Sequence, residues 1–167
     1  MFRKIGMWLG VLGLMVVIAF GGLALTRMHT AKARAEAVAR ARPLDTPYAA
    51  IADGKAYCWG NNANGQLGDN TTTERHVPVA VSTSGVLNGK TVTDIDVGNS
   101  YACAVADGKA YCWGAGSWGS LGISSGNGSK VPVAVDTSGV LNGKTVTAIS
   151  TGDTNTSAIA DGKAYGW

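Results

Sequence analysis

Apolar and polar positions divide the chain into two unlike parts. Residues 5–25 are an unbroken run of 21 positions without a charge, preceded by Arg3 and Lys4. As a helix rising about 1.5 Å per residue, that run spans about 30 Å, the thickness of a bilayer's hydrocarbon core. The pattern predicts an n-region at 1–4 and a transmembrane α-helix over 5–25. A cleaved secretory signal is the alternative reading, although its apolar region is usually only about 7 to 15 residues, and no small-x-small cleavage site directly follows residue 25. Residues 31–42 read AKARAEAVARAR, strong helix formers with Lys32, Glu36 and Arg40 at successive i,i+4 spacings. The helix is therefore expected to continue as a basic stalk over 26–42. Pro43 should stop it, and 43–47 is a linker.

From residue 48 the periodicity changes to short alternating segments separated by turn residues, and the segments repeat. ADGKAYCWG at 52–60 recurs at 106–114, and ADGKAY returns at 160–165. VPVAV at 77–81 recurs at 131–135, and TSGVLNGKTVT at 83–93 recurs at 137–147, all at an offset of 54. Residues 52–105 and 106–159 share 31 identities out of 54 without gaps. Such copies are one supersecondary unit that stacks on its neighbours and does not fold alone.

Within each copy, Asp53-Gly54, Asp107-Gly108 and Asp161-Gly162 carry the signal of a two-residue type I′ hairpin, whose central residues both need φ > 0. If Asp107 and Gly108 form the turn, Ala104 faces Tyr111, Ala102 faces Trp113 and Cys103 faces Cys112. The same arithmetic sets Ala50 against Tyr57 and Ala158 against Tyr165, a small residue beside a large ring each time. VPVAV and the TVTDIDV segment add two strands, with Pro78 and Pro132 near the start of the first. Four strands per repeat of about 50 residues is the pattern of a β-propeller blade. The expected fold is mainly β: tandem four-stranded antiparallel blades of an incomplete propeller, preceded by the long N-terminal helix. The repeat region is 48–167, read as a hairpin at 48–59 and blades at about 77–113 and 131–167.

CWGNNANGQLGDN at 58–70, then VPVAV, then GKTVTDIDVGNSYACAVADGKAYCWG at 89–114, resembles the regulator of chromosome condensation repeat family, in particular its bacterial extracellular branch. By position, Gly60, Gly65, Gln66, Leu67 and Gly68 match the family's signature loop. Gly114, Gly119, Leu121 and Gly122 match it in the second copy, where Ser120 replaces the glutamine. The resemblance implies a propeller that binds protein partners through its loops and rim. The repeats here amount to about a third of such a ring, which suggests a fragment of a longer propeller. It also suggests that exposed blade edges could support self-association.

Charge sharpens the division. Residues 1–47 hold seven Lys or Arg against two acids, and residues 48–167 hold seven against nine. The repeat region thus lacks the basic footprint of a nucleic-acid binder, and nucleic acid is not an expected partner. Cations beside the apolar run suit contact with anionic lipid headgroups or a solvated stalk.

Counted from a type I′ turn, Cys103 and Cys112 form a non-hydrogen-bonded pair, with Cα atoms about 4.5 Å apart and within disulfide reach. Their equivalents in the third copy, Ser157 and Gly166, change together, while Cys58 in the first copy faces Ala49 and is left over. Two reduced, buried thiols are the alternative. Orientation is divided: five cations after the apolar run against two before it put the repeats in the cytoplasm, and a disulfide puts them outside. The latter is the expectation: a single-pass membrane protein with an extracytoplasmic repeat region, or a secreted one if the leader is cleaved.

Catalytic chemistry is sparse. His29 and His76 lack partners for a nucleophile-base pair or a metal site, and His76 becomes Lys130 in the next copy. Asp94 and Asp96 become Ala148 and Ser150, with no calcium-loop pattern around them. No enzyme activity, cofactor or metal is expected. The functional expectation is a membrane-anchored protein-protein interaction module whose contacts lie in 61–76 and 115–130, where the copies diverge. Trp118 is either the anchor for a partner or a packing residue against the next blade. A pilin-like filament subunit is the alternative, weakened by the missing processing motif.

Overall fold

The computed structural model describes residues 46–167. The expected membrane helix, the stalk and most of the linker lie outside the described residues. Among those described, no helix is long and apolar enough to cross a membrane.

Among the described residues ten strands follow in order: β1 (Tyr48–Ala52), β2 (Lys55–Gly60), β3 (Arg75–Ala80), β4 (Val92–Val97), β5 (Tyr101–Ala106), β6 (Lys109–Gly114), β7 (Ser129–Ala134), β8 (Val146–Thr151), β9 (Thr156–Ala160) and β10 (Lys163–Gly166). They form three antiparallel sheets, ordered β1-β2-β3, β4-β5-β6-β7 and β8-β9-β10. The hairpins are built as the Asp-Gly pairs predict. Asp53 and Gly54 have φ of 52° and 69°, Asp107 and Gly108 of 48° and 73°, and Asp161 and Gly162 of 46° and 72°. Positive φ at both positions is the type I′ geometry, whose twist matches that of the flanking strands. The resulting register sets Ala104 opposite Tyr111, Ala102 opposite Trp113, Ala50 opposite Tyr57 and Ala158 opposite Tyr165.

The blade boundaries differ from the expected 77–113 and 131–167. The VPVAV strand closes the sheet before it: β3 pairs with β2, and β7 pairs with β6. The complete four-stranded blade is therefore 92–134. A period of 54 fixes the length of the unit but not where it begins. The boundary is set by the loops at 61–74 and 115–128, which return the chain alongside the strand it has just left. Pro78 and Pro132 also lie inside their strands rather than near the start. Both strands are sheet edges, where a missing N–H costs no ladder bond.

The three sheets stack face to face. Every residue of β5 is buried, because both faces of the middle blade are covered. Ala102, Ala104, Ala106, Tyr111 and Trp113 pack on the first sheet beside Ala56, Cys58 and Leu67. Tyr101, Cys103, Val105, Ala110 and Cys112 pack on the third sheet beside Leu121, Ile149 and Ala158. Cys103 and Cys112 are joined as a disulfide between facing strands, their Cα atoms 4.0 Å apart. Cys58 is a free, buried thiol opposite Ala49. Burial pushes its pKa far up, with the Asp69 charge adding to the effect, so this thiol is held neutral and inert.

Candidate interaction surface

The signature-loop residues are mostly interior. Gln66, Leu67 and Leu121 are buried, as are Gly60, Gly65, Gly68 and Gly114, and Gly119 alone is exposed. Each loop clasps the next blade. The Trp113 indole donates from Nε1 to the Gln66 carbonyl at 2.9 Å, and Trp167 donates to the Ser120 carbonyl at 3.2 Å. A Cβ on Gly68 would lie 2.7 Å from Trp113 Nε1, and one on Gly122 would lie 2.7 Å from Trp167 Nε1. Glycine at these places lets the loop backbone reach the indole edge. The Asp-Gly turns are structural as well. Asp107 Oδ1 accepts from the Thr91 N–H at 3.1 Å, and Asp161 Oδ1 accepts from the Thr145 N–H at 3.1 Å. The carbonyls of Gly54 and Gly108 accept from the first residue of the next blade, Val92 and Val146, each at 2.8 Å.

A second set of junction residues was not apparent from the sequence. Asp94 Oδ2 accepts from the Ile149 N–H at 2.8 Å, and Asp96 Oδ2 accepts from the Thr151 N–H at 2.6 Å. Both carboxylates thus serve the edge of β8 in the neighbouring sheet. The Tyr101 hydroxyl donates to the Asn155 carbonyl at 2.6 Å, and burial raises its pKa. These partners sit 54 or 55 positions apart, so no local pattern reveals them. The change to Ala148 and Ser150 in the next copy was the available signal.

What remains for contact is the pair of loops at 61–74 and 115–128, and they are built differently. The first is locked around Asp69, whose Oδ1 accepts from the Thr71 N–H at 3.0 Å and the Thr71 hydroxyl at 2.6 Å. Its Oδ2 accepts from Arg75 Nε at 2.9 Å and Nη2 at 2.8 Å. Burial disfavours this carboxylate's charge, but the bonds from Thr71, Arg75 and Asn62 outweigh it and hold the pKa below the ordinary value. Gln66 adds three further bonds, to the Asn61 side chain, the Asn64 N–H and the Asn99 carbonyl of the next blade.

In the second loop the equivalents of Asn62, Gln66, Asp69 and Arg75 are Gly116, Ser120, Ile123 and Ser129, so that lattice of bonds is gone. Residues 115–129 carry no charge at all. At their crest, in the 3₁₀ turn Ser117–Gly119, Trp118 is 86% exposed. It does not pack against the next blade, which removes one of the two readings of this residue. Its backbone sits at φ 62°, ψ 17°, a left-handed conformation that bulky residues adopt rarely and at a cost.

The family profile described as "Regulator of chromosome condensation (RCC1) repeat" matches residues 53–105 and 107–159, more than half of the chain. This chain belongs to the RCC1 repeat family. Its RCC1 repeats are 34% identical over 123 residues to the human E3 ubiquitin-protein ligase HERC2, a match that covers 71% of this chain and 2% of that protein. The fold is shared with human WBSCR16 at a TM-score of 0.65 and 24% identity, covering 73% of this chain and 30% of that one. It is also shared with Prp20p of Saccharomyces cerevisiae at a TM-score of 0.61 and 18% identity, covering 73% and 31%. The Prp20p structure is described together with that protein's binding to Gsp1p and histones. The chain thus spans a small part of HERC2 and about a third of each solved propeller chain.

Proposed function

We propose that this chain is a membrane-anchored, extracytoplasmic protein-interaction module, in which residues 5–25 hold it in the bilayer and the RCC1-type blades present the loop around Trp118 to a protein partner. The observation that carries this reading is the exposed, left-handed Trp118 on an uncharged loop, beside a homologous loop that is tightly bonded. A large rigid aromatic on an adaptable loop supplies contact area at small entropic cost. The Cys103–Cys112 disulfide supports an oxidising compartment, as in the exported members that the repeats resemble. No catalytic role is proposed for the module. Nothing among the described residues favours the filament-subunit alternative.

The test places a photo-crosslinking amino acid at residue 118 in the native cell, with a control at Val140, which is 72% exposed on another loop. A discrete protein adduct is expected from position 118 and none from 140. Equal labelling from both positions would remove Trp118 as the contact. A membrane-impermeant thiol reagent applied to intact cells after mild reduction reads the location of Cys103 and Cys112 separately. Protection of both thiols in intact cells, with labelling only after lysis, would place the repeats on the cytoplasmic side.

A further inference from the structure

Four Asn-Gly steps lie among the described residues: Asn64-Gly65, Asn88-Gly89, Asn127-Gly128 and Asn142-Gly143. This pair carries latent chemistry, because glycine has no Cβ to keep its amide nitrogen away from the preceding side-chain carbonyl. Closing a five-membered succinimide ring there requires rotation about the asparagine ψ and a glycine N–H free to give up its proton. All four asparagines are exposed, so exposure does not rank them and the hydrogen bonding around each step does.

Three of the steps are latched. Gly65 is buried and its N–H donates to the Asn62 carbonyl at 3.0 Å, while the Asn64 N–H donates to Gln66 Oε1 at 2.8 Å. Asn88 and Gly89 are the central pair of a turn closed by the Lys90 N–H on the Leu87 carbonyl at 3.2 Å, and the Asn88 N–H donates to the Gly85 carbonyl at 3.0 Å. The equivalent bonds, at 3.1 and 3.0 Å, surround Asn142 and Gly143. Leu87 and Leu141 anchor both turns in the core. Rotation at either asparagine would break the bond that closes its turn.

Asn127-Gly128 has no such latch. Gly128 is exposed and its N–H has no acceptor among the described residues, and the Asn127 N–H meets Ser125 Oγ at 3.4 Å, a long contact. Open space surrounds the preceding Gly126, at φ 64°.

We infer that Asn127-Gly128 is a spontaneous deamidation site, with water as the co-reactant. The Gly128 nitrogen bonds to Asn127 Cγ, the Cγ–Nδ2 bond breaks, and Nδ2 leaves as ammonia carrying the proton that Gly128 gives up. Water then opens the succinimide at either carbonyl. One opening leaves an ordinary aspartate, and the other routes the backbone through Cγ and lengthens it by one carbon. The consequence falls on Trp118. A Cβ on Gly116 would overlap the Asn127 carbonyl oxygen, so the limb that carries Trp118 lies against residue 127. Either product also puts a negative charge on residues 115–129, which have none, and a charge covered by a partner must be desolvated. Resting on the reading of Trp118 as the contact, the conversion is a one-way release of the partner as the chain ages.

The experiment incubates the full-length chain in mild detergent at mildly alkaline pH and follows each Asn-Gly peptide by mass mapping, with isoaspartate read by an isoaspartyl methyltransferase. Conversion at Asn127 is expected to be at least about tenfold faster than at Asn64, Asn88 or Asn142. In denaturant the four rates should converge, because the reactive pair is the same and folding is what separates them. Faster conversion at any other step, or equal rates in the folded chain, would overturn the assignment. Photo-crosslinking from residue 118 reads the consequence. Adduct yield should fall as the folded chain ages and hold in Asn127→Gln, whose longer side chain closes a ring far more slowly. A yield that holds in both chains, or falls in both, would overturn the release. Absence of an adduct from the fresh chain would defeat the release together with the partner contact, while the mapping decides the conversion independently.

Discussion

Trp113 reaches back 47 residues to hydrogen-bond the carbonyl of Gln66, and the indole lies against the one backbone position, Gly68, that has no side chain to displace it. Gly68→Ala puts a Cβ 2.7 Å from Nε1 at a φ of 68°, so steric and conformational costs add. A loss of about 1–3 kcal/mol is expected in urea unfolding. Trp113→Phe, which keeps a ring and orphans the buried carbonyl, should lose about as much. If neither variant moves the midpoint, the loop does not clasp the next blade.

Asp94 and Asp96 hold the edge of β8 by its own N–H groups. In an Asp94→Ala, Asp96→Ala double variant, the amides of Ile149 and Thr151 lose their acceptors while β8 keeps its ladder with β9. Hydrogen exchange should accelerate at those two amides and remain unchanged at the β5–β6 ladder. Uniform acceleration across all three sheets would instead mean that the carboxylates support global stability.

Ala49 occupies the position opposite Cys58 that Cys103 occupies opposite Cys112. Ala49→Cys should therefore close a second cross-strand disulfide in the oxidised protein. Thiol titration of the denatured chain would fall from one free group to none. Closing a loop of about 10 residues stabilises by about 2.5 kcal/mol in the chain-entropy model. A stabilisation reversed by reductant checks the assignment, and two titratable thiols would contradict it.

Asp69 carries the pH dependence of the first loop. Its folded pKa lies below the ordinary value of 3.8, so the folded state binds fewer protons than the unfolded chain as pH falls through that range. Its contribution is fully present above pH 3.8 and is lost as pH drops through the depressed folded value. The stability gap between the wild type and Asp69→Asn should therefore be constant from pH 7 to about 5 and shrink below about 4. A gap that is independent of pH down to 2 would show that the carboxylate's charge plays no part.

Trp118 is strained where it stands, and Asn64 holds the equivalent place in the first loop. Trp118→Gly removes the conformational cost, so thermal unfolding should shift upward by the equivalent of about 1 kcal/mol while crosslinking to the partner is lost. Stability and contact moving in opposite directions is the mark of a residue kept for binding. A fall in stability would show that the indole contributes to packing.

The hairpins were legible because their determinants are local. Asp-Gly between alternating segments specifies a turn, the turn specifies a register, and the register sets Cys103 beside Cys112. Blade boundaries were not legible, since a cyclic repeat has no marked beginning and β3 had two sheets it could have joined. The signature loop was located by family resemblance, yet its task of clasping Trp113 and Trp167 emerged only when the next blade was in place. The bonds of Asp94 and Asp96 to the Ile149 and Thr151 N–H groups join positions 55 apart, which no local pattern in the sequence links.

The amino-acid order by itself determined the repeat, the turn types, the cross-strand pairs and the divergence of the two loops, because each depends on residues within a few positions or on self-comparison. Tertiary structure decided which strands share a sheet, which faces are covered and that Trp118 points to solvent. Those outcomes follow from contacts between units about 54 residues apart, where burial and hydrogen bonding depend on how whole sheets stack rather than on any local preference.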